Sequence, residues 1–130
     1  MTAAASGDVR LLTVENGAIR TVASNLGAQV TGAIALAPRK NSAGQRLAVI
    51  PIIARNVAAI VDVETGKLLA SVPTGIAPVG AAINAAGTIA YVSNWAGRIA
   101  GPGDRTAPTG LAENADRVVI DQRGIASTGT

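Results

Sequence analysis

Asn94, Trp95 and Arg98 follow closely on one another, and Asp104 and Arg105 come soon after, inside Gly101-Pro102-Gly103-Asp104-Arg105-Thr106. These are residue types that grip a ligand: an indole to pack on, guanidinium groups for anions or carboxylates, an amide and a carboxylate for hydrogen bonds. They offer binding chemistry rather than bond-breaking chemistry, because the chain has no His and no Cys. Without imidazole there is no Ser-His-Asp arrangement and no zinc hydrolase site of the usual kind. Without thiols there is no cysteine nucleophile, no disulfide framework and no thiolate metal site. Ser and Thr are plentiful but lack a base. Lys40 and Lys67 stand in turn sequences with nothing apolar to enclose them, so they read as surface residues rather than nucleophiles. No catalytic residue, metal or cofactor is assigned. The expected binding residues are Asn94, Trp95, Arg98, Asp104 and Arg105. A structural role stands beside this for each: Trp95 filling the space between units, Asn94 bonding loop backbone, and Asp104-Arg105 forming a loop ion pair or an Asx turn.

Asp62, Glu64 and Asp121 are further carboxylates near strand ends that could offer oxygens to Ca2+. No Asp-x-Asp-x-Asp-Gly loop accompanies them, and Asp62 reads instead as an acceptor for turn backbone. Gly75 and Gly80 have the spacing of a phosphate loop, but Ala81-Ala82 stand where Lys and Ser or Thr would meet phosphate and Mg2+. Gly101-Pro102-Gly103 has no helix after it and no dinucleotide fingerprint. The 11 Lys and Arg against 8 Asp and Glu give a net charge of +3, yet the cations are scattered, only Arg39 and Lys40 being adjacent. A single-strand nucleic-acid surface interleaves stacking rings with cations, and the only rings are Tyr91 and Trp95, so no nucleic-acid partner is expected. The apolar runs 47–54 and 57–63 are too short to span a membrane and are broken by Pro51, Arg55 and Asn56. Residues 1–8 carry no signal-peptide pattern.

The elements that must position these residues are strands. Short apolar runs are separated by turn residues every 7 to 12 positions, the spacing of an all-β meander. Strands are expected at 8–14, 18–23, 29–36 and 46–53, then at 57–63, 67–72, 79–84 and 88–93, with one more at 117–121. Asn16-Gly17 suits a type I′ hairpin turn, because both residues tolerate positive φ. Residues 96–114 hold four Gly and two Pro and read as one long loop. Ala abundance favours helix, but no stretch keeps a 3.6-residue apolar period past a dozen positions without Gly or Pro. At 130 residues the chain suffices for one domain, and its core must be built from small side chains.

The two series of strands repeat. Leu12-Thr13-Val14-Glu15-Asn16-Gly17 lies over Val61-Asp62-Val63-Glu64-Thr65-Gly66, and Gly44-Gln45-Arg46-Leu47-Ala48-Val49 lies over Gly87-Thr88-Ile89-Ala90-Tyr91-Val92, 43 residues on. A period of 40 to 50 residues with four strands per unit is propeller-blade arithmetic. The stretch Val61–Gly80 and its continuation Ala85–Asn94 resemble the bacterial YVTN-type β-propeller repeat. Tyr91-Val92-Ser93-Asn94 stands at its signature tetrapeptide, Pro78 and Gly80 at its Pro-x-Gly pair, and Ala86-Gly87-Thr88 where Asp-Gly-Thr is usual. The first unit departs from the pattern, with Ala48-Val49-Ile50-Pro51 at the signature position. The resemblance implies an all-β fold of antiparallel four-stranded blades, a partial seven-bladed-type β-propeller. Residues 1–7 would be an N-terminal extension, 8–56 and 57–95 two blade-like units, 96–116 a long loop or insertion, and 117–130 the start of a further strand or blade. It also implies a non-catalytic binding or scaffold module of a bacterial exported or surface protein, periplasmic or extracellular. The alternative is the propeller part of a larger enzyme, phosphoesterase-fused or lactonase-like, whose catalytic residues lie outside this chain. The expected partner is a protein or small ligand, or a second copy meeting the open blade faces.

Overall fold

The structure is a computed structural model and describes residues 2–3, 8–12, 15–23, 26 and 31–128. Among the described residues it is all-β apart from one 3-10 turn at Ile53–Arg55, and the strands form four antiparallel sheets. β1 (Thr2–Ala3), β2 (Asp8–Leu12) and β3 (Ile19–Ala23) make the first sheet. β4 (Ala35–Leu36), β5 (Leu47–Ile52), β6 (Val57–Asp62) and β7 (Leu68–Pro73) make a four-stranded meander. β8 (Pro78–Ile83) pairs with β9 (Ala90–Asn94), and β10 (Thr106–Pro108) pairs with β11 (Arg117–Val119).

Within the meander, β5 and β6 are the centre of the molecule, buried along most of their length on both faces, whereas β7 is largely exposed. Along β5, Ala48, Ile50 and Ile52 point one way, joined by Ala59 and Val61 of β6 through the register Ala48↔Val61 and Ile50↔Ala59. These side chains form the core with Val9, Val22, Ala23 and Leu26, and Ile50 and Val61 are fully buried. The opposite face, Val49 with Ala58, Ile60 and Val72, borders an apolar groove of about 320 Å3 that Ala90 and Val92 of β9 close from the far side. A strand covered on both faces reads as a continuous apolar run, as Leu47–Ile52 does. The core has no aromatic side chain, and a gap of about 70 Å3 lies between the first sheet and the meander, bounded by Val9, Val22, Ala48, Ile50, Val61 and Val63. Small side chains fill the space between sheets less completely than large ones.

The β8–β9 pair is fastened to the meander through main chain. A bulge at Val79 sets Pro78 opposite Asn94 and Gly80 opposite Ser93, leaving Val79 out of the register. Its carbonyl instead accepts the Ala33 amide at 2.8 Å, while Gly32 N donates to Pro51 O at 2.9 Å. A Cβ on Gly32 would run into the Val79 carbonyl, so the approach needs glycine.

Several expectations are corrected. The strand expected at 29–36 is reduced to Ala35–Leu36 and a lone bridge Thr31↔Ile52, and its residues 29–30 lie outside the described ones, as do 13–14 of the first strand and most of the expected N-terminal extension. Asn16-Gly17 is not a type I′ turn. Gly17 has φ of +69° but Asn16 does not have positive φ; the last paired residues are Leu12↔Ile19, and the Asn16 carboxamide oxygen accepts the Ala18 amide at 3.0 Å. The 96–116 segment is not one loop, for it contains β10, whose Thr106↔Val119 and Pro108↔Arg117 pairs are made with β11. The hydrogen-bonded grouping also departs from the expected one: four paired strands run over 35–73, through residue 56 where the first unit was expected to end.

Candidate functional site

Asn56 stands between β5 and β6 in the left-handed conformation, φ +54°, a region asparagine tolerates better than other non-glycine residues. Its carboxamide oxygen accepts the amide of Ala77 at 2.9 Å, and its Nδ2 donates to Asp116 Oδ2 at 3.0 Å. Ala77 is itself left-handed, φ +56°, and these are the only two non-glycine residues with positive φ among the described residues. Two costly backbone conformations are thus held together by one side chain, where the central sheet, the entry to β8 and the start of β11 converge. Strain of this kind persists only where surrounding bonds enforce it.

An open cleft of about 410 Å3 lies here, lined by Asn56, Ile76, Ile99, Asp104, Asp116 and Arg117 among others. Its polar groups are engaged with one another. Arg117 donates from Nε to Thr106 Oγ1 at 2.8 Å and from Nη2 to Thr106 O at 3.1 Å. Arg98 meets Asp104 with two parallel hydrogen bonds, Nη1 to Oδ2 at 2.6 Å and Nη2 to Oδ1 at 2.7 Å, and the Gly101 amide adds a third to Oδ2 at 2.7 Å. The guanidinium and the Gly101 amide hold the Asp104 carboxyl down to about 2, and Asp104 in turn raises Arg98.

The expected binding residues are therefore brought partly together. Arg98 and Asp104 form a pair at the cleft. The ion pair expected within Asp104-Arg105 is made by Arg98 instead; Arg105 contributes its carbonyl to the Ile120 amide at 2.9 Å, and its side chain is exposed. Trp95 extends the β8–β9 hairpin by donating its amide to Ala77 O at 2.9 Å, and its ring is 83% exposed rather than filling a space between sheets. The Asn94 side chain lies where a Cβ on Gly75 would be, at 2.9 Å from its Cγ. Asn56, Asp116 and Arg117 were not singled out from sequence. The one available signal was Asn56 interrupting two apolar runs, a residue type that accepts the left-handed turn such a junction needs.

Of the carboxylates near strand ends, Glu64 lies 3.6 Å from Lys40 Nζ, and Asp62 and Asp121 are turn acceptors. The buried Asp62 takes the Thr65 hydroxyl at 2.8 Å and the Glu64 amide at 3.1 Å, and the Thr65 bond leads in lowering its pKa. Asp121 accepts the amides of Arg123 and Ile125, both at 2.9 Å, and the Ile125 amide leads in lowering its pKa. Among the described residues there is no group of three or more His, Cys, Asp or Glu able to hold a metal ion, and no helix long and apolar enough to cross a membrane.

In the cleft Asp104 is held by Arg98, and Asp116 accepts a hydrogen bond from Asn56. No protein-family model, curated protein or solved structure matches this chain.

Proposed function

We propose that the chain is a non-catalytic binding or scaffold module built from repeating four-stranded antiparallel units, part of a β-propeller of the YVTN type from an exported or surface protein. The observation that carries this reading is an asparagine-to-glycine turn that recurs 43 residues on. Asn41 accepts the amides of Ala43 and Gln45 at 3.0 and 2.9 Å, and Gly44 N donates to Asn41 O at 2.9 Å. Asn84 accepts the amides of Thr88 and Ile89 at 2.8 and 3.2 Å, and Gly87 N donates to Asn84 O at 2.9 Å. Both glycines have positive φ, +77° and +74°, and each turn leads into a strand, β5 or β9. An asparagine bonded to a glycine of positive φ thus stands at the same place before β5 and before β9, with the second turn one residue wider, its Asn84 amide donating to Ile89 O where the Asn41 amide donates to Gln45 O. The stacking of antiparallel sheets on both faces of the meander supports the unit packing that such a module requires.

A non-catalytic role is tested by offering the purified chain activated esters, lactones and phosphodiesters. The reading expects no turnover above that of unfolded chain. Turnover that Asp104→Asn or Asp116→Asn abolishes would overturn it. Trp95, the sole tryptophan and well exposed, reports binding directly, since a partner that covers it shifts its emission to the blue.

A further inference from the structure

β9 is an edge strand without edge protection. It pairs with β8 on one side, and among the described residues no strand pairs with its other side. Its sequence, Ala90-Tyr91-Val92-Ser93-Asn94, carries no charge and no proline, the devices that ordinarily blunt an exposed edge. An open hollow of about 650 Å3 lies over the β8–β9 pair, lined from both strands by Gly80, Ala82, Tyr91, Val92 and Ser93 among others, and Tyr91 is 62% exposed.

The same chain contains the strand that such an edge takes. β5, which matches β9 at an offset of 43 residues and likewise follows an asparagine-to-glycine turn, is paired on both sides: with β4 through Ala48 and Val49, and with β6 along its whole length. We propose that the free edge of β9 is a docking site for an extended strand of β6 chemistry, uncharged and rich in β-branched residues, ending in an aspartate-initiated turn, added antiparallel as β6 adds to β5. The inference rests on the repeated-unit reading above. Its register follows from the pairs Ala48↔Val61, Val49↔Ile60 and Ile50↔Ala59. Carried across, they set Tyr91 opposite a valine, Val92 opposite an isoleucine and Ser93 opposite an alanine. Aromatic against β-branched, and β-branched against β-branched, are favourable cross-strand pairs. Main-chain hydrogen bonds supply the affinity and these pairs the register, the logic of strand addition at sheet edges.

The probe is a synthetic peptide of residues 57–67 of this chain, added to the full chain and followed by amide hydrogen exchange. The expected result is saturable binding that slows exchange of β9 amides at least about tenfold, with no comparable change at β11. N-methylation of alternate peptide amides that would face β9 should weaken binding by at least about tenfold, since it removes the main-chain donors that the added strand uses. Tyr91→Lys should weaken it too, with β5 and β6 exchange unchanged, which establishes that the variant is folded. Unchanged β9 exchange alongside protected β5 and β6 overturns the docking site and leaves the repeated-unit reading standing. Exchange of β5 and β6 as fast as that of β9 overturns that reading and the docking site with it. Protection of β9 without peptide in a chain that scatters light as a dimer overturns the proposed occupant in favour of a second copy.

Discussion

Asp104 and Arg98 form a bidentate pair in an exposed loop, and their chemistry is readable in solution. The Asp104 carboxyl is held below its ordinary 3.8 at about 2. A group depressed in the folded state stabilises that state above its unfolded pKa and loses the contribution as pH falls through its folded value. The ordering of residues 98–104 should therefore be intact above pH 3.8 and lost toward pH 2, with an NMR titration midpoint for Asp104 near 2. Arg98→Ala should move that midpoint back toward 3.8. A midpoint unchanged by this substitution would contradict the pairing. Both side chains are partly exposed, so the pair bears on loop order more than on global stability. The opposite charges at 98 and 104 were legible, but the partner was not. Arg105 is adjacent in sequence, and successive residues of an extended chain point to opposite sides, so the neighbour in sequence was the wrong choice.

The Asn56–Ala77 contact gives a second test at this scale. Ala77 adopts positive φ without the freedom of glycine, at a cost of about 1–2 kcal/mol. Ala77→Gly should raise stability to urea by up to about 1 kcal/mol once the unfolded chain's added freedom is offset. Asn56→Ala should lower it by about 1–3 kcal/mol, because the Ala77 amide and Asp116 lose their partner. If Ala77→Gly destabilises and Asn56→Ala is neutral, the contact is not the fastening described.

At the scale of elements, strands bounded by turn residues were legible and their partners were only partly so. The run 46–53 exceeds β5 by a residue at each end and 57–63 exceeds β6 by one at its last end, because apolar continuity and the Asn56 break are both local. β10 could not be read in this way: three residues ending in Pro108 show no period, and they are a strand only because β11 supplies the bonds. The grouping of strands into sheets was hidden for a related reason. A repeat in sequence gives the period but not where the hydrogen-bonded set begins, and the set over 35–73 begins later than the repeat suggested. The joint between β8 and the meander was likewise invisible, since Gly32 shows nothing until Val79 bulges toward it. Gly32→Ala should press a methyl group on the Val79 carbonyl and cost about 1–3 kcal/mol. The loss should be accompanied by faster exchange of the Ala33 amide, which bonds that carbonyl at 2.8 Å. An unchanged midpoint with a slow Ala33 amide would mean that β8 is not seated there.

For the whole molecule, the account places a four-stranded meander between two other sheets, with an apolar core on one face and an apolar groove on the other. The small side chains that the composition foretold are what leave a gap between the sheets, and stability then rests on many modest contacts rather than on a few large ones. The most direct test is a methyl-resolved NOE experiment on the full chain. The account predicts contacts from the Val9 and Val22 methyls to Ile50 and Val61, and from Val49 and Ile60 to Val92, in the same sample. Contacts within each strand pair but none between Val22 and Ile50 would contradict the stacked arrangement on which the proposed function rests.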